Sequence, residues 1–455
     1  MKYRRSLERR LRYRAASEEQ WQEWGWGLGV LLFALLVFSV NLDLPSLQGM
    51  EDELARAAEA IASSPNFSLW GLLSPIGEQF SREKSPLLSV LIAFTYGWGE
   101  SNAAMMRWPV AGLGALSVWV LYRTGREIFP RRRSAILAAG IYLVLSPLIP
   151  LGRFALSINL GGSLLIFTVW LALRSRRDFR WTLGIGGGLS LLFLTRGWLA
   201  IAAGGIVLVF LARDTPRLLR SPYLWAGIVL GSFPVTSWIL EWGSAEFFWS
   251  DRAVLDLGLP YELKILCFAL PGLFLGISGL SLALSQRNWG WANLTLIWFY
   301  GVLVVIPLLS FSVESGLLLF PPLALAGGVK LDELLNLPRE RQSLSGWYGL
   351  AIALAFAAMA CSLGLAWLFP LYRASVLVFA AVALCLAMVA LTVSQGDRQS
   401  LILLFWGMYV ALFLFVATLP GQSIVLSKGG SLGRSSDVIE THSTPLLLFR
   451  NIVNN

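Results

Sequence analysis

Apolar runs long enough to cross a bilayer recur from Trp26 to Pro420, and this repetition constrains the fold more than any other feature. In hydrocarbon, backbone N–H and C=O groups must be bonded within the chain, so spanning segments of this length are α-helices. The chain is 56% hydrophobic and only 14% charged, where an ordinary soluble protein carries about a quarter charged residues. The expected fold is all-α: a polytopic transmembrane helical bundle of about 13 spans. No soluble domain of ordinary size fits between the runs, so neither a nucleotide-binding domain nor a Gly-rich phosphate loop is expected. Gly186, Gly187 and Gly188 lie inside an apolar span, where small residues serve close helix packing.

The net charge of +9 does not point to nucleic acid, because the basic residues fall in short clusters between apolar spans. Residues 1–25 form a basic N-terminal segment read as cytoplasmic, and the run from Gly25 to Val40 reads as a retained anchor rather than a cleaved signal. The first span, 26–42, leads to an outer loop, 43–103. The next span returns to Arg123, Arg126 and Arg131 to Arg133 inside, and later inner clusters are Arg174 to Arg180 and Arg213 to Arg220. Two short apolar segments, 181–195 and 197–212, read as a hairpin with Arg196 at its outer tip. The loop from Lys330 to Ser345 reads as charged and solvated, the membrane domain as 26–419, and 420–455 as a polar extracytoplasmic tail. On this topology about two thirds of the Lys and Arg lie inside. The protein is thus expected in the plasma (inner) membrane, multi-pass.

Cys267, Cys361 and Cys385 all lie in apolar spans without a CxxC, and His442 is the only histidine. Disulfide frameworks, zinc clusters, haem ligation and a Ser-His-Asp triad are therefore disfavoured. Carboxylates remain, and they concentrate in the first outer loop as Glu51-Asp52-Glu53, followed by Ala57-Ala58-Glu59-Ala60-Ile61. Residues 51–62 are amphipathic at helical spacing and are expected to lie flat on the outer face. Further along come Glu83 and Lys84, then an apolar stretch, 86–98, too short to span as a helix and read as interfacial or re-entrant. The many Trp, 20 in all, read as interfacial belts.

These residues resemble the GT-C membrane glycosyltransferases, and within them glycosyltransferase family 39, which includes the protein O-mannosyltransferases and the lipid A aminoarabinose transferases. The resemblance rests on Asp52-Glu53 with the Ala/Glu-rich helix after it, Lys84-Ser85-Pro86-Leu87 for Lys-Pro-Pro-Leu, and Arg107-Trp108-Pro109 for Arg-Leu-Pro. Gly125-Arg126-Glu127-Ile128-Phe129 and Thr195-Arg196-Gly197 extend it, and it covers roughly residues 26–330.

The resemblance implies a sugar donor carried on a polyprenyl phosphate and delivered by the bilayer, and a lipid, glycan or protein acceptor. It implies an active site on the extracytoplasmic face. An acceptor hydroxyl attacking the anomeric carbon must lose a proton, for which Asp52 is the expected base, with Glu53 or Glu51 orienting it. Such a displacement inverts the sugar. The departing lipid phosphate needs charge stabilisation, for which Lys84, Arg107, Arg153 and Arg196 are candidates. Glu83 is a candidate ligand for a divalent metal, and no other cofactor is implied.

The sequence also departs from the family. Arg-x-Ala-x-x-Asp in the second outer loop becomes Arg153-Phe154-Ala155 with Asn159 at or near the acid position. Asparagine hydrogen-bonds but neither accepts a proton nor neutralises a cation. The alternative expectation is therefore a non-enzymatic membrane protein: an inactive GT-C-like scaffold, an assembly subunit or a transporter. Crowding of ionisable residues at span ends argues against a transporter, whose ionisable groups gather near mid-membrane.

Overall fold

The computed structural model describes residues 2–39, 42–43, 50–63, 86–99, 101–144, 155–242, 273, 275–287, 289–309 and 313–336, with side chains from Trp21 onward except at 50, 53, 144, 237–238, 241–242, 305–309, 313–315 and 334–336. Among the described residues there is no strand. The helices are α1 (Lys2–Ser39), α2 (Met50–Ala62), α3 (Pro86–Tyr96), α4 (Ala103–Ile128), α5 (Arg132–Val144) and α6 (Ser157–Arg174). They continue as α7 (Thr182–Thr195), α8 (Gly197–Asp214), α9 (Pro222–Trp242), α10 (Leu275–Ser285), α11 (Gly290–Leu309) and α12 (Phe320–Asn336). Short 3-10 turns at Phe179–Trp181, Pro216–Arg220 and Val313–Leu319 join some of them. Four described helical stretches are long and apolar enough to cross a membrane: Trp21–Ser39, Ala103–Ile128, Ser157–Arg174 and Gly197–Asp214. The expected spans and tail beyond residue 336 lie outside the described residues.

Helix α4 is the hub, packing against α1, α5 and α6. Its first turn is closed by Asn102, whose side-chain oxygen accepts from the Met105 N–H at 2.9 Å. Helix α3, at about 1.5 Å per residue, is roughly 16 Å long and cannot span the hydrocarbon. It is wedged between α2 and α4 with Leu88, Ile92, Ala93 and Tyr96 buried.

The expected hairpin is present. Arg196 is extended (φ −155°, ψ 115°) and separates α7 from α8. Its Nε donates to Ser157 Oγ at the start of α6 (2.7 Å), while Asp214, at the far end of α8, pairs with Arg176 just beyond the end of α6 (2.9 Å). Helix α6 thus measures one full crossing, and α8 makes the same crossing.

With lipid outside and no water to expel, close backbone approach between small residues supplies much of the packing. Gly186 of α7 lies against Gly227 and Gly231 of α9, and a Cβ on Gly186 would enter the Gly227 carbonyl. Gly186→Leu is therefore expected to force these helices apart and cost about 1–3 kcal/mol or more. Thermal unfolding in detergent reads this, with Gly187→Leu as a control because a Cβ at Gly187 meets nothing within 4 Å.

One end of the bundle is basic and densely paired. Glu23 accepts from Arg126 (Nε 3.0 Å, Nη2 2.6 Å), Arg132 (2.9 Å) and the Tyr122 hydroxyl (3.2 Å). Glu127 holds Arg174 (2.7 Å) and Arg177 (2.6 Å). These pairs bring the arginine clusters that the charge rule assigns to one side to a single end. Asp332 joins them: it is buried, accepts from Ser134 Oγ at 2.8 Å and faces Arg131 at 3.7 Å. The start of the loop expected to be solvated is instead the closing part of α12, packed on α5. Exposed tryptophans mark both ends, Trp21, Trp24 and Trp225 near the basic one and Trp98 and Trp108 near the other.

Candidate active site at the acidic loop

The opposite end is organised by α2, whose register separates three consecutive acids. Residues four, seven and ten positions after Glu51 are Ala55, Ala58 and Ile61, and all three are buried. Glu51 therefore heads the apolar stripe and is itself only 4% exposed.

A buried carboxylate is costly unless paired and fully hydrogen-bonded. Here the partner is Arg107 of α4, 1% exposed, which donates through Nε to Oε1 (3.1 Å) and through Nη2 to Oε2 (2.5 Å). Oε1 also accepts the Ala155 backbone N–H at 3.0 Å, and Arg107 Nη1 donates to the Leu42 carbonyl at 2.9 Å. One ion pair thus ties together the end of the first span, the first loop helix, the start of α4 and the entry to α6. Arg107, expected to face a donor phosphate, has all three guanidinium nitrogens in this junction.

Asp52, one residue on, points the other way. Its side chain is 42% exposed and pairs with Arg56 one turn along. A pair this exposed contributes only about 0.3–0.5 kcal/mol, so it orients the carboxylate without sequestering it. Glu59 shares this face and accepts from Ser101 Oγ at 3.5 Å. Tyr96, at the end of α3, is buried near these acids. Burial, then the Glu59 and Glu51 charges, push its hydroxyl up to about 12, so it stays protonated at neutral pH.

Arg196 is 8% exposed and bonded to Ser157 at the mouth of α6. Asn159 lies two residues further and lines a cavity of about 20 Å³ with Ser163, Ser117, Tyr142 and Leu318. That volume suits about one water molecule, not a sugar. The backbone of Glu53 belongs to α2, whereas Lys84, Glu83 and Arg153 lie outside the described residues. Among the described residues no group of three His, Cys, Asp or Glu could hold a metal ion.

The junction escaped the sequence reading because three adjacent acids look alike until a register is chosen. The signal was present nonetheless, since the apolar spacing of Ala55, Ala58 and Ile61 extrapolates back to Glu51 and not to Asp52.

A family described as dolichyl-phosphate-mannose-protein mannosyltransferase matches residues 83–242. An undecaprenyl phosphate-alpha-4-amino-4-deoxy-L-arabinose arabinosyl transferase of Pectobacterium carotovorum is 29% identical over 359 residues, covering 69% of this chain and 61% of that protein. The crystal structure of ArnT from Cupriavidus metallidurans superposes with a TM-score of 0.63 at 19% identity, covering 86% of this chain and 76% of that one. Over these stretches the chain is similar to the GT-C membrane glycosyltransferases, and it shares the fold of ArnT. Its GT-C fold is shared with ArnT both in the apo state and bound to undecaprenyl phosphate, which superpose equally well. The chain spans about 61% of the length of the arabinosyl transferase it matches. The family match begins at Glu83, so the acidic helix α2 precedes the matched segment.

Proposed function

We propose that this GT-C protein transfers a glycosyl group from a polyprenyl-phosphate donor to an acceptor hydroxyl at the outer membrane face, with Asp52 as general base. The observation that carries this reading is the register of α2: the buried Glu51–Arg107 pair fixes the helix, and the next residue presents an accessible carboxylate. The positive-inside rule puts the basic end in the cytoplasm and α2 outside.

In the proposed step the acceptor oxygen attacks the anomeric carbon from the face opposite the phosphate. The carbon–oxygen bond to the phosphate breaks, the acceptor proton passes to Asp52, and the lipid phosphate departs with the bonding pair. The sugar is inverted. Charge developing on the phosphate is assigned to Arg196, with Lys84 and Arg153 as the further proposed cations, while Arg107 acts by holding α2. Glu53 is the proposed orienting partner of Asp52. If a divalent metal takes part, Glu83 is the residue proposed to hold it.

The test is purified protein in lipid, a panel of radiolabelled polyprenyl-phosphate sugars and a mixed acceptor extract. Label moving to an acceptor is expected for at least one donor. Asn159 at or near the family's acid position favours a second reading, an inactive scaffold, and donor binding without transfer from any donor would establish that reading instead.

A further inference from the structure

At the basic end, the turn after α6, the turn after α8 and the start of α9 meet in one corner. Arg176 pairs with Asp214, the rings of Phe179 and Tyr223 approach to 5.2 Å, and Trp225 Nε1 donates to the Leu219 carbonyl at 3.0 Å. This corner carries Arg180, Arg213, Arg217 and Arg220, all exposed. None has a carboxylate partner among the described residues, although Arg126, Arg132, Arg174, Arg176 and Arg177 at the same end all do. Asp178 lies beside them, but its carboxylate accepts the Arg180 backbone N–H at 3.0 Å and pairs with none of these four guanidinium groups.

Aromatic rings interleave with these arginines: Phe179, Trp181, Tyr223 and Trp225 are all exposed. Exposed rings of this kind settle at the headgroup level of a bilayer, which puts the guanidinium groups at phosphate height. Beyond the corner, α9 turns Val229, Leu230 and Phe233 outward as an apolar track. A ligand for this surface needs an anionic phosphodiester above and acyl chains below.

We propose that this corner is a binding site for an anionic glycerophospholipid, its phosphodiester held by Arg180, Arg217 and Arg220 and its chains lying along α9. Arginine suits the task because its planar fork grips phosphate oxygens in pairs. The site is at the opposite end from α2 and is independent of the proposed transfer reaction.

Native mass spectrometry of the purified full chain, titrated in detergent with phosphatidylglycerol, phosphatidylcholine or inorganic phosphate, tests this. Saturable binding of phosphatidylglycerol and little of phosphatidylcholine is expected. R180Q/R217Q/R220Q should lower the phosphatidylglycerol affinity on the order of a hundredfold. R180K/R217K/R220K should recover only part of it, since charge returns without the fork. Equal binding of the two lipids, or unchanged binding by the Gln variant, would overturn the site. Full rescue by Lys would reduce it to unspecific surface charge, and inorganic phosphate binding as tightly as the lipid would make it an anion site without lipid specificity.

Discussion

Arg107→Ala should be the most damaging single substitution at the outer end of the bundle. It leaves the Glu51 carboxylate at 4% exposure with the Ala155 N–H but no counter-charge, and it strips the Leu42 carbonyl of its donor. Removing one partner of a buried pair typically costs about 3–5 kcal/mol, because the survivor keeps its desolvation penalty. The expected result is a large fall in the thermal midpoint. Limited proteolysis should find new cleavage near α2, because the pair is what joins that helix to α4 and to the entry of α6. The double change Glu51→Leu with Arg107→Met separates pairing from packing. Replacing both charges by apolar groups of similar size is often neutral, so much of the stability should return. Should the double variant be as unstable as the sum of the two singles, the pair is not acting as a unit.

Asp52→Asn should do the reverse, sparing the fold and removing the proposed chemistry. The side chain is 42% exposed and its pair with Arg56 is a surface one, so the thermal midpoint should hardly move. Asparagine keeps the size and an acceptor oxygen but cannot take a proton at neutral pH. Loss of a general base slows a reaction about 10²–10⁴-fold. Donor binding should persist, since the phosphate contacts are assigned to Arg196, Lys84 and Arg153 rather than to Asp52. Binding of labelled donor to the variant checks this, and a parallel loss of affinity would reassign Asp52 to ligand binding.

Much of the fold was legible because the bilayer is a strict solvent. Apolar length set the helices, and arginine clusters set which ends belong together; the pairs Glu23–Arg126 and Arg176–Asp214 show those ends meeting. The break between α7 and α8 was readable as one arginine between two apolar runs, and the packing role of Gly186 as a small-residue stretch with nothing else to do. Asp332 and Glu51 were not readable in the same way. Each is a charge whose burial depends on a partner distant in sequence, Ser134 for one and Arg107 for the other, and no local pattern names that partner. Within the acid loop the apolar spacing of Ala55, Ala58 and Ile61 singles out Glu51, but its partner Arg107 follows only from how α2 packs.

The most direct measurement is the rate of sugar transfer from a polyprenyl-phosphate donor by wild type and Asp52→Asn, both in lipid and with matched thermal midpoints. Transfer by the wild type that falls at least about a hundredfold in the variant, with donor binding retained, is the predicted result. Wild-type transfer that continues undiminished in Asp52→Asn would contradict it and remove Asp52 as the base.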